Sequence, residues 1–142
     1  MARVVRVILA IVAGFAVSFV LVVAVEAFSS VVHPLPADFD GTNEAVCEHV
    51  ANYPPWVLAV VVPLWGVTAF AGTWVAGRLG NRGSALFLGV LLLAAVLFNL
   101  SMLPYPLWFQ LVQPVVIVGA VWLACRRSRR TRAEVASPQL AG

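Results

Sequence analysis

The sequence contains no lysine, and all nine of its basic residues are arginine. Charged residues make up only 11% of the 142-residue chain, whereas an average soluble domain has about 25%. Hydrophobic residues account for 62% of the chain, so a protein of this composition would aggregate in water. The scarcity of charge therefore excludes an ordinary soluble domain and indicates that the protein folds in lipid.

Motifs that carry chemistry are also scarce. The two cysteines, Cys47 and Cys125, form no C-x-x-C pair, which disfavours a thiol oxidoreductase. Cys47-Glu48-His49 matches no standard spacing of metal ligands, and no nucleophile is visibly paired with a base. We therefore predict no catalytic residues, no metal site and no cofactor.

Three long stretches carry no charged residue: residues 7–25, 50–77 and 83–125. About 20 residues of helix cross the hydrocarbon of a membrane, so the third stretch is long enough to cross twice. Leu103-Pro104-Tyr105-Pro106 supplies the break, because proline cannot continue a helix and disfavours helical backbone in the preceding residue. The sequence predicts four membrane-spanning helices, at about residues 5–29, 56–79, 84–103 and 107–126.

These spans predict an all-α integral membrane four-helix bundle over residues 1–128. One sizeable outer loop, at about residues 33–55, joins the first two spans, and prolines bracket it. Within this loop, Thr42 or Asn43 is suited to cap a short helix over residues 44–51. Residues 129–142 are basic and polar, and we expect a disordered cytoplasmic tail there.

Arginines and acidic residues fall on opposite sides of the predicted bundle. With four crossings, all nine arginines lie on one side. The loop on the other side receives no basic residue and four acidic ones: Asp38, Asp40, Glu44 and Glu48. The positive-inside rule then predicts a multi-pass protein of the cell (cytoplasmic/inner) membrane, with both termini in the cytoplasm.

The arginines at the inner span ends are predicted to anchor the topology. These anchors are Arg78, Arg82, Arg126, Arg127, Arg129 and Arg130. A cationic side chain near an anionic membrane surface gains about 1 kcal/mol, so we predict anionic-lipid contact at the C-terminal cluster and no nucleic-acid binding. Aromatic residues at the outer span ends are predicted to form an interfacial belt: Tyr53, Trp56, Tyr105 and Trp108.

Small residues recur at four-residue spacing in the first two spans. Apolar helices in lipid have no hydrophobic reason to associate, so they pack by close backbone approach at small residues. The predicted packing positions are Gly14, Ser18, Thr68, Gly72, Ala76 and Gly77. Because the second span holds most of them, we predict that it is the central helix of the bundle.

Polar side chains are predicted to meet in the outer leaflet: Glu26, His33, Asn99, Gln110 and Gln113. An ionisable residue in lipid is costly unless it is paired or protonated, so it is a functional hypothesis by default. Two interpretations of Glu26 stay open. Either one of the amides hydrogen-bonds it and it is functional, or it reaches the headgroups while the amides hold the helices together.

A resemblance is carried by Val25-Glu26-Ala27, residues 72–78 and residues 104–109, which span most of the chain. By these segments the chain resembles small uncharacterised four-span bacterial inner-membrane proteins, and this likeness implies no activity. Four short spans with a glutamate in the first are also similar in architecture to the small multidrug-resistance transporters. Those proteins hold their acid near mid-membrane and have short loops, unlike this chain.

The leading functional prediction is a non-enzymatic multi-pass membrane protein. It would act as an accessory or scaffold subunit, with the lipid bilayer around it and a membrane-protein partner or a second copy of itself. The alternative is a small transporter or proton-coupled permease that uses Glu26, and a membrane enzyme is a second alternative. Transport requires polar residues deeper in the membrane, where spans two and three offer little beyond Thr68 and Thr73. This favours the accessory subunit.

Overall fold

The computed structural model describes the backbone of residues 1–136 and the side chains of residues 1–128. This part of the chain is all-helical, with five α-helices: α1 (Ala2–Val32), α2 (Asn43–Ala51), α3 (Pro55–Leu79), α4 (Arg82–Met102) and α5 (Leu107–Ala136). Four helical segments are long and apolar enough to cross a membrane: α1, α3, α4 and residues Leu107–Ser128 of α5. The four predicted spans are thus confirmed as helices.

The helix ends follow the local sequence chemistry. Nothing stops α1 before Pro34, so it continues to Val32, beyond the predicted end at residue 29. α3 begins with Pro55 in its first turn, where the missing N–H of proline leaves no helical bond unmade. α4 begins at a capping box, in which the Asn81 Oδ1 accepts the Ser84 N–H at 3.0 Å.

The loop between α1 and α3 contains the predicted short helix, α2. Thr42 caps it, since the Thr42 hydroxyl oxygen accepts the Ala45 N–H at 3.2 Å. The Thr42 N–H in turn donates to Asp40 Oδ1 at 2.9 Å, which fixes the backbone before the helix. Val50 is the buried residue of α2, so the last turn of this helix is the part that packs.

α5 extends beyond the predicted fourth span. Residues 129–136, assigned above to a disordered tail, continue the helix, because the arginine, alanine and glutamate found there favour helical backbone. Residues 137–142 of that predicted tail lie outside the described part of the chain. The predicted anchors Arg129 and Arg130 are within the helix, but their side chains lie outside the described residues.

α3 is the central helix. It packs against α1, α4 and α5, whereas α1 and α4 meet over a smaller contact. Half of the residues in the apolar segment of α3 are buried, against 17% in α1 and 22% in both α4 and α5. The contacts therefore form a bundle in which α3 supplies the shared interface, as the small residues of the second span predict.

The bundle has two chemically distinct ends. At one, called the arginine end, α1 starts beside the end of α3, and Arg6 Nε donates to the Leu79 carbonyl at 2.8 Å. The guanidinium groups of Arg78 and Arg126 lie over tryptophan rings of their own helices, 5.2 Å and 4.5 Å from the ring centroids. The opposite end, called the connector end, carries α2 and the link between α4 and α5.

α1 and α3 are in direct backbone contact where small residues face each other. A Cβ atom added to Gly72 would lie 2.8 Å from the Gly14 carbonyl oxygen, and one added to Gly14 would lie 2.6 Å from the Gly72 carbonyl oxygen. Ser18 and Ala76 are buried in the same contact. Because Cβ atoms do not tolerate such distances, only glycine fits at these two positions.

Replacing Gly72 with alanine is expected to destabilise the bundle, because the new Cβ meets the Gly14 backbone and the Ser18 hydroxyl. Overpacking of this kind costs about 1–3 kcal/mol. Gly119→Ala is the matched control, since nothing lies within 4 Å of a Cβ there. Thermal unfolding in detergent should show a lower Tm for Gly72→Ala and an equal or higher Tm for Gly119→Ala. An unchanged Tm for Gly72→Ala would contradict the close contact.

Candidate functional site

A cavity of about 70 Å³ lies at the connector end, bounded by all four long helices. Half of its lining residues are polar: Glu26, Ser29, Tyr53, Asn99, Tyr105 and Gln113. The other half are apolar or aromatic: Leu58, Val61, Trp65, Val96, Leu100 and Phe109. One water molecule needs about 10–15 Å³ of accessible volume, so the cavity has room for several non-hydrogen atoms.

Prolines place the two tyrosines against the cavity. Tyr53 stands directly before the Pro-Pro pair at the start of α3, and Tyr105 stands between two prolines just before α5. The Tyr105 N–H donates to the Leu103 carbonyl at 2.9 Å, which closes a three-residue turn. The Tyr105 ring then packs on Phe109 with 4.8 Å between ring centroids. Rigid backbone at both helix starts thus fixes where the two phenol rings lie.

The polar lining residues lie at different depths. Gln113 and Ser29 are buried, with 2% and 6% of their surfaces exposed. Glu26 and Asn99 are exposed, so they form the mouth of the cavity. The two tyrosines are half-buried between these levels. The cavity therefore has a carboxylate at its mouth and an amide at its floor.

Gln113 carries an unsatisfied acceptor. Its Oε1 atom is buried and accepts no hydrogen bond from the residues that the structure describes. A buried polar atom left without a partner costs about 1–3 kcal/mol. Because Gln113 lines the cavity, a molecule inside it that donates a hydrogen bond would remove this cost.

Glu26 is not hydrogen-bonded by any amide in the described part of the chain, contrary to one of the two interpretations of the sequence. Gln110 instead donates from Nε2 to the Tyr105 carbonyl at 2.7 Å. The described guanidinium groups lie at the arginine end, so none of them neutralises Glu26. The negative charge of Glu26 instead raises the pKa of two nearby phenols, those of Tyr53 and Tyr105.

Three of the five residues predicted to cluster in the outer leaflet line the cavity: Glu26, Asn99 and Gln113. Gln110 and His33 do not line it. Gln110 lies in the first turn of α5, where its side chain folds back onto the preceding link. The seven-residue spacing from Glu26 predicts that His33 shares its helix face, but α1 ends at Val32. His33 has left the helical conformation, with φ −139° and ψ 74°.

His33 instead belongs to a stack of three rings at the connector end. The His33 and His49 rings stack with 4.3 Å between centroids, and the Tyr53 ring lies 4.6 Å from the His33 ring. His33 Nε2 is 3.3 Å from the His49 carbonyl oxygen. The stack therefore holds α2 against the end of α1 and meets the cavity wall at Tyr53.

Burial raises the pKa of Tyr105 to about 12, and the neighbouring Tyr53 and Glu26 add to this effect. Burial also raises the pKa of Tyr53, although a hydrogen bond with Ser29 acts in the opposite direction. Both phenols are therefore neutral at physiological pH, and each keeps one hydroxyl hydrogen to donate. The cavity wall thus adds hydroxyl groups and no second charge beside Glu26.

The predicted polar cluster does not include Ser29, and the sequence pattern indicates a different role for Tyr53 and Tyr105. Because both tyrosines fall at the outer ends of spans, the pattern places them in an interfacial belt. The flanking prolines were the available signal, since a tyrosine between rigid residues at a helix start has a fixed direction. Ser29 follows Glu26 by three residues, a spacing that places both on one helix face.

Comparisons of the chain with protein-family models, curated proteins and solved structures give no match. The four apolar helices agree with a small multi-pass membrane protein. The likeness to small four-span bacterial proteins and to the small multidrug-resistance transporters stays a prediction from the sequence. The functional conclusion therefore rests on the geometry of this chain.

Acidification is expected to release α2 from α1. Burial and the neighbouring His33 lower the pKa of His49, so the folded state favours its neutral imidazole. The stability this provides is complete above the ordinary pKa of about 6.5 and is lost as the pH falls through the lower folded-state value. Hydrogen–deuterium exchange of the α2 amides, corrected for the intrinsic effect of pH, should rise from about pH 7.5 to about pH 5.

His49→Gln is the comparison variant for this measurement. Glutamine does not titrate, so the exchange of its α2 amides should change little over the same pH range. A response of equal size in the wild type and in His49→Gln would show that the stack is not the sensitive element.

Proposed function

We propose that this chain is a non-enzymatic multi-pass membrane protein that serves as an accessory or scaffold subunit in a bacterial inner membrane. One observation carries the proposal: the polar lining is confined to the connector end of the bundle. Beneath the cavity, the four long helices close on one another through small and apolar residues, with the buried hydroxyl groups of Ser18, Thr68 and Thr73 among them.

The packing beneath the cavity supports a static role. Ile117, one turn beyond Gln113, is fully buried, and the backbone contact between α1 and α3 lies further along. The Thr68 hydroxyl donates to the Leu64 carbonyl of its own helix at 3.0 Å, so it is not available to a solute. The buried hydroxyl groups of Ser18 and Thr73 have no partner among the described residues, but none of the described buried side chains is charged. A path for an ion or proton across the bundle needs polar groups in succession, and this arrangement favours an accessory subunit.

The arginine end is proposed to face the cytoplasm, which places both termini inside. The charge pattern supports this orientation. If the chain crosses the membrane four times, all nine arginines lie on the side of the arginine end, and four acidic residues lie in the loop on the other side. In this orientation the mouth of the cavity lies near the outer headgroups. Glu26 then needs no buried partner, because its exposed carboxylate reaches the polar region.

Three surfaces are suited to binding in this proposal. α1 exposes large apolar side chains, including Val12, Phe15 and Phe19, to lipid, to a membrane-protein partner or to a second copy. The connector loop offers a groove lined by the imidazoles of His33 and His49 and by carboxylates that include Asp38 and Asp40. At the arginine end, Arg126 and Arg127 are exposed beside aromatic rings, and we propose that they contact anionic lipid.

A proton-coupled permease that uses Glu26 is the second candidate. One observation favours it: the Glu26 carboxylate stands at the mouth of a cavity whose floor carries an unpaired acceptor, Gln113. Such a protein would have to open the apolar contacts between Gln113 and the arginine end during each cycle. Its flux would depend on the Glu26 carboxylate.

Proton flux in proteoliposomes distinguishes these candidates. The purified protein is reconstituted with an internal pH-sensitive dye, and a pH gradient is imposed. An accessory subunit should give a dye response equal to that of protein-free liposomes. Glu26→Gln and the control Glu44→Gln should give the same response. A flux that Glu26→Gln abolishes and Glu44→Gln retains would contradict the accessory role and support the permease.

A further inference from the structure

We propose that the connector-end cavity binds a primary ammonium group, either of a free small amine or of a phosphatidylethanolamine headgroup. The binding chemistry is the same for both sources. The lipid source rests on the proposed membrane orientation, because it needs the mouth of the cavity at headgroup level.

The lining of the cavity selects a cation. The Glu26 carboxylate at the mouth has no described cationic partner. Each of the six polar lining residues offers at least one oxygen acceptor. Four aromatic rings complete the wall, and the faces of such rings attract organic cations: Tyr53, Trp65, Tyr105 and Phe109. An anion would meet the Glu26 charge and no described guanidinium group.

Gln113 decides which kind of cation fits. The Gln113 side chain lines the cavity, and its buried Oε1 atom has no hydrogen-bond donor among the described residues. A primary ammonium carries three N–H donors, so one can satisfy Gln113 while the charge lies beside Glu26. A quaternary ammonium has no N–H and would leave Gln113 unpaired. The cavity therefore discriminates ethanolamine-type from choline-type ligands.

A metal ion fits this lining less well. The described residues contain no group of three or more His, Cys, Asp or Glu side chains placed to hold one ion. A hard cation such as calcium takes 6–8 oxygen ligands, whereas half of this lining is apolar or aromatic. Leu58 and Val61 instead suit the carbon atoms attached to an amine nitrogen.

Binding is measured first with free amines. Isothermal titration of the purified protein in detergent compares ethylamine with ethyltrimethylammonium, two probes that carry no hydroxyl group. Ethylamine should bind at least about tenfold more tightly, because only its protonated amine has N–H groups that can donate to Gln113. Equal affinities for the two amines would overturn the proposal.

Two variants test the assigned contacts, and each has a matched control. Gln113→Leu and Glu26→Gln should each weaken ethylamine binding by at least about tenfold. Thr73→Val removes another buried hydroxyl without a described partner, and Glu44→Gln removes an exposed carboxylate on α2. Both controls should change the affinity less than about twofold. Glu26 is exposed, so Glu26→Gln keeps the test valid even if Gln113→Leu fails to fold. An unchanged affinity in Glu26→Gln would contradict the proposal.

Native mass spectrometry of the protein released from nanodiscs distinguishes the two sources. Nanodiscs with equal parts of phosphatidylethanolamine and phosphatidylcholine supply both headgroups. Selective retention of phosphatidylethanolamine, lost in Glu26→Gln, assigns the lipid. Ethylamine binding without lipid preference assigns the free amine. Absence of both effects overturns the ammonium site but leaves the proposed accessory role standing, because that role is tested by proton flux.

Discussion

Close backbone contact between α1 and α3 is the interaction on which the rest of the structure depends. Helices with surfaces as apolar as lipid tails gain little hydrophobic free energy by associating, so van der Waals contact at small residues must hold them together. Gly14 and Gly72 supply that contact, and Ser18 and Ala76 extend it. The large apolar side chains of α1 point away from this seam and stay exposed. α3 can therefore serve as the shared core of the bundle while the other three long helices remain mostly accessible.

The polar cavity follows from a change in side-chain size along the same helices. Toward the arginine end α3 presents Gly72 and Ala76, whereas toward the connector end it presents Leu58 and Val61. Larger side chains keep the four long helices from closing as tightly, and a cavity is left at that end. Lipid tolerates polar groups best near the headgroups, which is the level we propose for this cavity. Its unpaired Gln113 acceptor and the Glu26 carboxylate are the features that give it a chemical preference.

The sequence predicts the helices far better than it predicts the site. Charge-free runs and prolines mark the four long helices because hydrocarbon thickness and the missing proline N–H act locally. Glu26, Asn99 and Gln113 are predicted together because helix rise fixes their depth. The depth of a residue along its helix does not specify the direction in which its side chain points. Gln110 is therefore wrongly grouped with these residues, because its side chain turns to the Tyr105 carbonyl. The positions of Tyr53 and Tyr105 depend on how non-helical links cross the end of the bundle, and no periodic pattern encodes that.

Accessibility labelling tests the membrane placement most directly. Gly83 is exposed at the start of α4, whereas Gly80 is buried against Ala10 and Ser84 and would be shielded on either side. A membrane-impermeant maleimide is applied to intact cells that produce one of two single-cysteine proteins. The first carries Gly83→Cys and lacks both native cysteines. The second carries Cys125→Ser and keeps Cys47 as its single cysteine. The account predicts that Cys47 reacts in intact cells and that the Gly83→Cys protein reacts only after permeabilisation. Ready reaction at position 83 in intact cells, with Cys47 protected, would contradict it.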